Sequence, residues 1–150
     1  MDQSQPLKLN IGCWDLLLPG WENLDAPHNT LDGVKHWSWN ERLPYGDGSV
    51  GLILIQHVLM YCRSENYVRN LSECRRVLRP EGRILVKEDN DLVWIWRKMG
   101  TKHKTGTVLS HTNLDLMKKD LIEAKFSIIS SDWKEIVGRY GDIINRQRKL

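Results

Sequence analysis

Gly12 and Asp25 are the pair of residues whose types and placement could do chemistry together. The alternating stretch Leu7-Lys8-Leu9-Asn10-Ile11 reads as a short strand running into Gly12. A second short apolar segment, Trp21 to Leu24, ends on Asp25. Glycine at a strand end lets backbone N–H groups approach a ligand, and a carboxylate closing the next strand can accept both hydroxyls of a ribose. This is how open α/β sheets build a nucleoside pocket. An ordinary turn glycine and a turn or cap Asp are the plainer readings of each residue taken alone.

Further candidates lie downstream, each with a structural reading beside the chemical one. Gln56 and His57 follow the continuous apolar run Val50 to Ile55, at the end where a parallel sheet holds its ligands. His57 is the natural titrating group, since imidazole alone has an unperturbed pKa near about 6.5; a hydrogen-bonded structural His is the competing reading. Tyr61, one helical turn on, shares that face. Glu88 and Asp89 close the following strand, where they either orient a substrate or are solvated loop acids. Trp94, Trp96, His103 and His111 lie in the next segment. Aromatic residues two apart do not share a helix face, so one of Trp94 and Trp96 points away from the core, into a substrate lid, a subunit contact or a packed rim.

The elements that must position these groups follow from pattern. Asp15 to Leu18 has room for one helical turn before Pro19-Gly20 breaks it. Val34 to Trp37 reads as a third strand. Leu43 to Ser49 is turn chemistry that delivers the chain into Val50 to Ile55. Ser64 can cap a helix with apolar positions Tyr67, Leu71, Cys74 and Leu78, ended by Pro80 and Gly82. Arg83 to Glu88 is then the next strand, and strand, helix, strand at this spacing is a crossover unit. Asp91 to Met99 reads as a short helix or lid segment, and Gly100 to Ser110 as a basic loop. Thr112 with Asp115 resembles a capping box for a helix whose apolar face is Leu114, Met117, Leu121 and Ala124. Phe126 to Ile129 is expected as a last strand, and Lys134 to Leu150 as a terminal helix with a basic tail.

Composition bounds the class. A chain of 150 residues is expected to be one domain, with 1–6 as a flexible start, 90–111 as a variable substrate segment and 146–150 as a basic tail. It is 41% hydrophobic and 27% charged, and no apolar run approaches the roughly 20 residues of a membrane span. A net charge of +3 permits an anionic partner without implying one. The three cysteines show no paired spacing, which fits reduced thiols in a cytoplasmic protein and argues against structural zinc. No GxxxxGK[ST] is present, so a P-loop is excluded.

The stretches LNIGC…GWENLD, LPYGDGSVGLILIQHVL and LSECRRVLRPEGRILV together resemble the small, single-domain branch of the class I S-adenosylmethionine-dependent methyltransferases. The resemblance covers residues 7 to 89 well and Thr112 to Asp132 more loosely. It implies an α/β, Rossmann-like fold: a mostly parallel central sheet flanked by helices, here in shortened form. It also implies S-adenosylmethionine as cofactor, with Gly12 as the turn glycine and Asp25 as the ribose acid. The remaining cofactor contacts it implies are Asn10, Cys13, Trp14, Trp39, Asn40, Gln56 and His57. His57 and Tyr61 become the catalytic candidates, and Glu88, Asp89, Trp94 and His111 the substrate ones. Gly51 departs from the family, where relatives often carry Asp. So does Trp14, where the family has a second glycine; its indole either lines the cofactor space or fills it.

Methyl transfer from a sulfonium needs alignment above all, and placement alone supplies about 7–11 kcal/mol. The expected activity is methyl transfer to a small-molecule or glycan-type acceptor, recognised by loops or by a neighbouring subunit of a homo-oligomer. A nucleic-acid acceptor is disfavoured because Gln56-His57-Val58-Leu59 stands where base-amine methyltransferases carry [DN]PP[YFW]. The competing expectation is a partner or binding module that keeps the sheet and has lost the cofactor.

Overall fold

The computed structural model describes residues 5–56, 58–59, 62–87 and 114–129. Five strands form one sheet: β1 Leu7–Ile11, β2 Glu22–Asp25, β3 Val34–His36, β4 Val50–Gln56 and β5 Leu78–Lys87. A 3-10 turn, Ser64–Asn66, leads into α1, Tyr67–Val77, and α2 covers Leu114–Glu123. The sheet order is β3-β2-β1-β4-β5 and every pairing is parallel. The chain therefore builds outward from β1 in one direction, then crosses to β4 on the other side. That reversal places the carboxyl ends of β1 and β4 side by side, the position where such sheets bind ligands.

Register explains the core. Leu9 and Ile11 of β1 pair with Ile53 and Ile55 of β4, which pair in turn with Ile84 and Val86 of β5. One face of the sheet is thus a continuous apolar surface. Leu71, Cys74 and Val77 of α1 cover it, with Val68 packed against the same cluster. Leu9, Ile53, Ile55 and Leu71 are fully buried, and each side chain enclosed this way contributes about 1.5–3 kcal/mol. α2 packs on α1 and adds Met117 and Ala124 to the buried set.

Three expectations are corrected. Residues 15–18 form no helical turn; the chain makes a tight turn in which Leu16 N–H donates to the Cys13 carbonyl (2.8 Å). Pro80 and Gly82 do not end α1, which stops at Val77. They lie within β5, where the register jumps from Val50↔Leu78 to Leu52↔Arg83. The breaker residues form a bulge that lets β5 start straight after the helix. Phe126–Ile129 is not a strand. Lys125 takes a left-handed φ of 71°, its N–H donates to the Ile122 carbonyl and Phe126 N–H to that of Leu121 (both 2.9 Å). This is a Schellman cap, and Phe126 packs on the core as its apolar contact. The segments 91–99, 100–110 and 134–150, read above as lid, loop and terminal helix, lie outside the described residues.

Candidate functional site

The loop leaving β1 is shaped by hydrogen bonds from its own backbone and from the side chains of Asn10 and Asn23. Gly12 takes φ 73°, a conformation in which a side chain is strained. Its N–H and that of Cys13 both donate to the Leu24 carbonyl (2.9 and 3.2 Å), tying the loop to the end of β2. A Cβ at Gly12 would lie 2.0 Å from Val58 Cγ2 and 3.0 Å from the Gln56 carbonyl oxygen. Glycine therefore serves here to let the ends of β1 and β4 touch. Beyond it, Asn10 donates from Nδ2 to the Leu16 carbonyl (2.8 Å) and to Asn23 Oδ1 (2.9 Å). Asn23 Oδ1 also accepts Leu18 N–H (2.9 Å), and its Nδ2 returns a bond to the Leu18 carbonyl (3.2 Å).

Asn10 was expected at the cofactor. Its side chain is instead fully buried and acts as a strut under residues 16–18. Cys13 was expected there too, but its thiol is buried. Burial, reinforced by the negative charge of Asp25, pushes that thiol up to about 11, so it is a neutral packing group at physiological pH.

Asp25 ends β2 half-buried and heavily hydrogen-bonded. Oδ2 accepts the Trp14 backbone N–H (2.9 Å) and Asn29 Nδ2 (2.8 Å), and Oδ1 accepts the Ala26 N–H (2.8 Å). A carboxylate has about four acceptor sites. Three protein donors leave Oδ1 with capacity for one more. Trp14 sits in the left-handed region with φ 48°, an uncommon place for a bulky residue. Its indole is 50% exposed and tilted against His28, with ring centroids 6.3 Å apart.

The other expected contacts scatter. Trp39 packs edge-on to Trp37 at 5.3 Å, and the Asn70 amide on α1 donates to its carbonyl and accepts its indole N–H. Asn40 is exposed, and its Oδ1 accepts from Arg69 (3.1 Å). Gln56, at the end of β4, accepts from Lys87 Nζ through Oε1 (3.4 Å). Gly51 has a packing reason: a Cβ there would meet the Pro6 ring at 2.7 Å, so the lead-in to β1 occupies the space of a larger residue. His57, Tyr61, Glu88, Asp89, Trp94 and His111 lie outside the described residues. Among the described residues no group of His, Cys, Asp and Glu could hold a metal ion, and no helix is long and apolar enough to cross a membrane.

Two residues carry more of this site than their sequence context suggests. Asn23 and Asn29 are both buried and organise the loops on either side of Asp25. The available signal was an Asn placed to cap a turn after Asp25-Ala26-Pro27, which many surface loops share.

The turn before β4 is braced from α1. Arg76 forks onto Glu73 (2.9 and 2.6 Å) and donates to Asp47 and to the carbonyls of Leu43 and Tyr45. The Arg76 hydrogen bond holds the Glu73 carboxyl below its ordinary value; partial burial opposes this, and the Leu43 N–H adds to it. Burial first, then the Glu22 carboxylate that accepts its hydroxyl, pushes the Tyr45 phenol up to about 12.

A family model described as a methyltransferase domain matches residues 36–86, from the end of β3 to β5. A comparison with curated proteins returned no match. Among solved structures, the chain resembles a SAM-dependent methyltransferase from Archaeoglobus fulgidus with a TM-score of 0.64 at 16% identity, over 96% of this chain and 78% of that one. It resembles an S-adenosylmethionine-dependent methyltransferase from Mesorhizobium loti with a TM-score of 0.63 at 14% identity, over 95% and 83%. A chain from the complex between the Haloferax volcanii Trm112 methyltransferase activator and the protein described there as a methyltransferase gives 0.59 at 14%, over 79% and 60%. This chain therefore spans 60% of the length of the Haloferax one. Identities this low establish architecture, and the segment match adds a likeness to a methyltransferase domain over β4, α1 and β5. The resemblance read from the motifs holds: residues 36–86 match the methyltransferase-domain model, and the sheet around them has the architecture of the solved S-adenosylmethionine-dependent methyltransferases.

Proposed function

We propose that the protein transfers a methyl group from S-adenosylmethionine to a small-molecule or glycan-type hydroxyl or carboxyl acceptor. The observation that supports this best is the pairing at the carboxyl edge of the sheet. The Gly12 loop and the Asp25 carboxylate meet there through the Trp14 N–H. The residues fit the cofactor in two respects. Oδ1 of Asp25 has acceptor capacity for a ribose hydroxyl. Trp14 is half exposed rather than packed into the core, which supports an indole that lines the cofactor space.

S-adenosylmethionine supplies, when bound, a methyl group already activated by its sulfonium. The protein's share is then to bind, align and exclude water. Asp25 would accept from the ribose, and Gln56, at the end of β4, would be a further cofactor contact. The test is incubation with methyl-labelled S-adenosylmethionine and panels of sugars, hydroxylated metabolites and carboxylic acids. Label on one of these classes supports the reading. Cofactor binding with no label on any of them refutes the acceptor class.

One observation favours a second reading, a partner module without cofactor. The three N–H donors on Asp25 already use most of its acceptor capacity, an arrangement that also makes sense as a purely structural loop clasp. Failure to bind S-adenosylhomocysteine at millimolar concentration supports this alternative.

A further inference from the structure

Asn29 is 6% exposed and lies four residues beyond Asp25. All its hydrogen-bonding groups are engaged. Its N–H closes a turn on the Ala26 carbonyl (2.9 Å), Oδ1 accepts Leu31 N–H (3.1 Å), and its carbonyl faces His36 Nε2 (2.8 Å). Those contacts shape the loop. Nδ2 does something else: it donates to Asp25 Oδ2 and to the Trp14 carbonyl, both at 2.8 Å. Trp14 itself donates its N–H to the same Oδ2 (2.9 Å). The three groups close a ring in which one buried amide grips both the carboxylate and the loop. Burying an amide is costly unless its partners are in place, and here all of them are.

We propose that Asn29 is a positioning residue that fixes the Asp25 carboxylate against the Trp14 backbone, so that only Oδ1 retains capacity for a cofactor hydroxyl. This rests on the reading of Asp25 as the ribose acceptor. Asn29 touches no ligand in this account; it acts through Asp25 and Trp14. A nucleoside is consequently held at a single carboxylate oxygen, with Oδ2 reserved for the protein.

The experiment uses the full chain and two variants, Asn29→Ala and Asn29→Asp. Amide hydrogen exchange on the ligand-free protein reads the ring without reference to any cofactor. In Asn29→Ala the Trp14 amide exchanges about tenfold faster or more, while core amides at Leu9 and Ile53 keep their protection. Calorimetry with S-adenosylhomocysteine gives a Kd about tenfold weaker for the same variant. Asn29→Asp keeps the acceptor for Leu31 but replaces both amide hydrogens with a carboxyl against Asp25. Two carboxyls in contact share a proton up to unusually high pH. Its Kd is therefore weakened at pH 8 and returns toward the wild-type value near pH 5, a profile that loss of loop shape would not produce. Cys13, His28 and His36 also surround this ring, and the wild-type protein carries them equally, so the difference between the two profiles isolates position 29.

A Trp14 amide that exchanges at the wild-type rate in Asn29→Ala overturns the proposal, as does Asn29→Asp binding like wild type at every pH. Should Asn29→Ala lose protection throughout, the Trp14 protection factor in Asn29→Asp, corrected for the base-catalysed intrinsic rate, decides instead: a lower factor at pH 8 than at pH 5 supports the ring and an unchanged one overturns it. A wild-type protein that binds no S-adenosylhomocysteine defeats the nucleoside reading, while the exchange data still decide whether Asn29 holds the carboxylate.

Discussion

Gly12→Ala tests whether the sheet's central edge is built on contact between β1 and β4. The added methyl meets Val58 Cγ2 at 2.0 Å and the Gln56 carbonyl at 3.0 Å, on a backbone at φ 73°. Two costs follow. Left-handed backbone with a Cβ costs about 1–2 kcal/mol, and overpacking costs about 1–3 kcal/mol, so about 2–5 kcal/mol is expected. Gly20 provides the control, because it has φ 77° but nothing within 4 Å of its added Cβ. Gly20→Ala should therefore lose only the backbone share, about 1–2 kcal/mol. Val58→Ala removes the colliding methyl, so the Gly12→Ala, Val58→Ala pair should lose less than the sum of its singles by about 1–3 kcal/mol. Urea unfolding of the wild type and the four variants reads these values directly. Equal losses at Gly12 and Gly20, with additive behaviour at Val58, would refute the argument.

Glu73 and the cysteines give two further expectations. Glu73 is held below its ordinary value in the folded protein, so its contribution is present above the unfolded value of about 4.3 and fades as pH falls through the folded one. Glu73→Gln should be less stable than wild type at pH 7, with a gap that closes on acidification; a gap unchanged at low pH contradicts the role given to Arg76. Burial and nearby carboxylates push the Cys13 thiol up to about 11 and the Cys74 thiol up to about 12. Iodoacetamide at pH 8, read by peptide mass mapping, should leave both unmodified in the native protein and label both in denaturant. Rapid native labelling of Cys13 would show that the loop around it opens.

Much of the frame was legible because its signals are local. Leu7–Ile11 reads to the residue from alternation, and the unbroken run from Val50 reads as a strand, although only Val50, Ile53 and Ile55 of it are buried and the positions between them are partly exposed. The helix Leu114–Glu123 follows from its apolar spacing. What misled were residues whose meaning depends on a partner strand. Pro80 and Gly82 signal a break correctly, but only the register with Val50 and Leu52 shows that the break is a bulge inside β5. Lys125 in a left-handed cap gives no sequence warning, so Phe126 passes for a strand residue instead of a helix-end contact.

At the site the same limit applies more sharply. Gly12 and Asp25 are visible by type and order. Asn10 and Cys13 lie on the same stretch, yet their side chains are enclosed, and the short connection to β2 brings the Leu16 carbonyl back onto the Asn10 amide. Asn23 and Asn29 organise the loops through contacts made across the chain, with no motif of their own. Gly51 is explained by Pro6, which lies far off in sequence and against it in space.

Calorimetric titration of the protein and of Asp25→Ala with S-adenosylhomocysteine tests the central claim most directly. The account predicts micromolar binding by the wild-type chain and a loss of tenfold or more, about 1.4 kcal/mol, in the variant. No heat at millimolar ligand, or equal affinity in the two proteins, would contradict it.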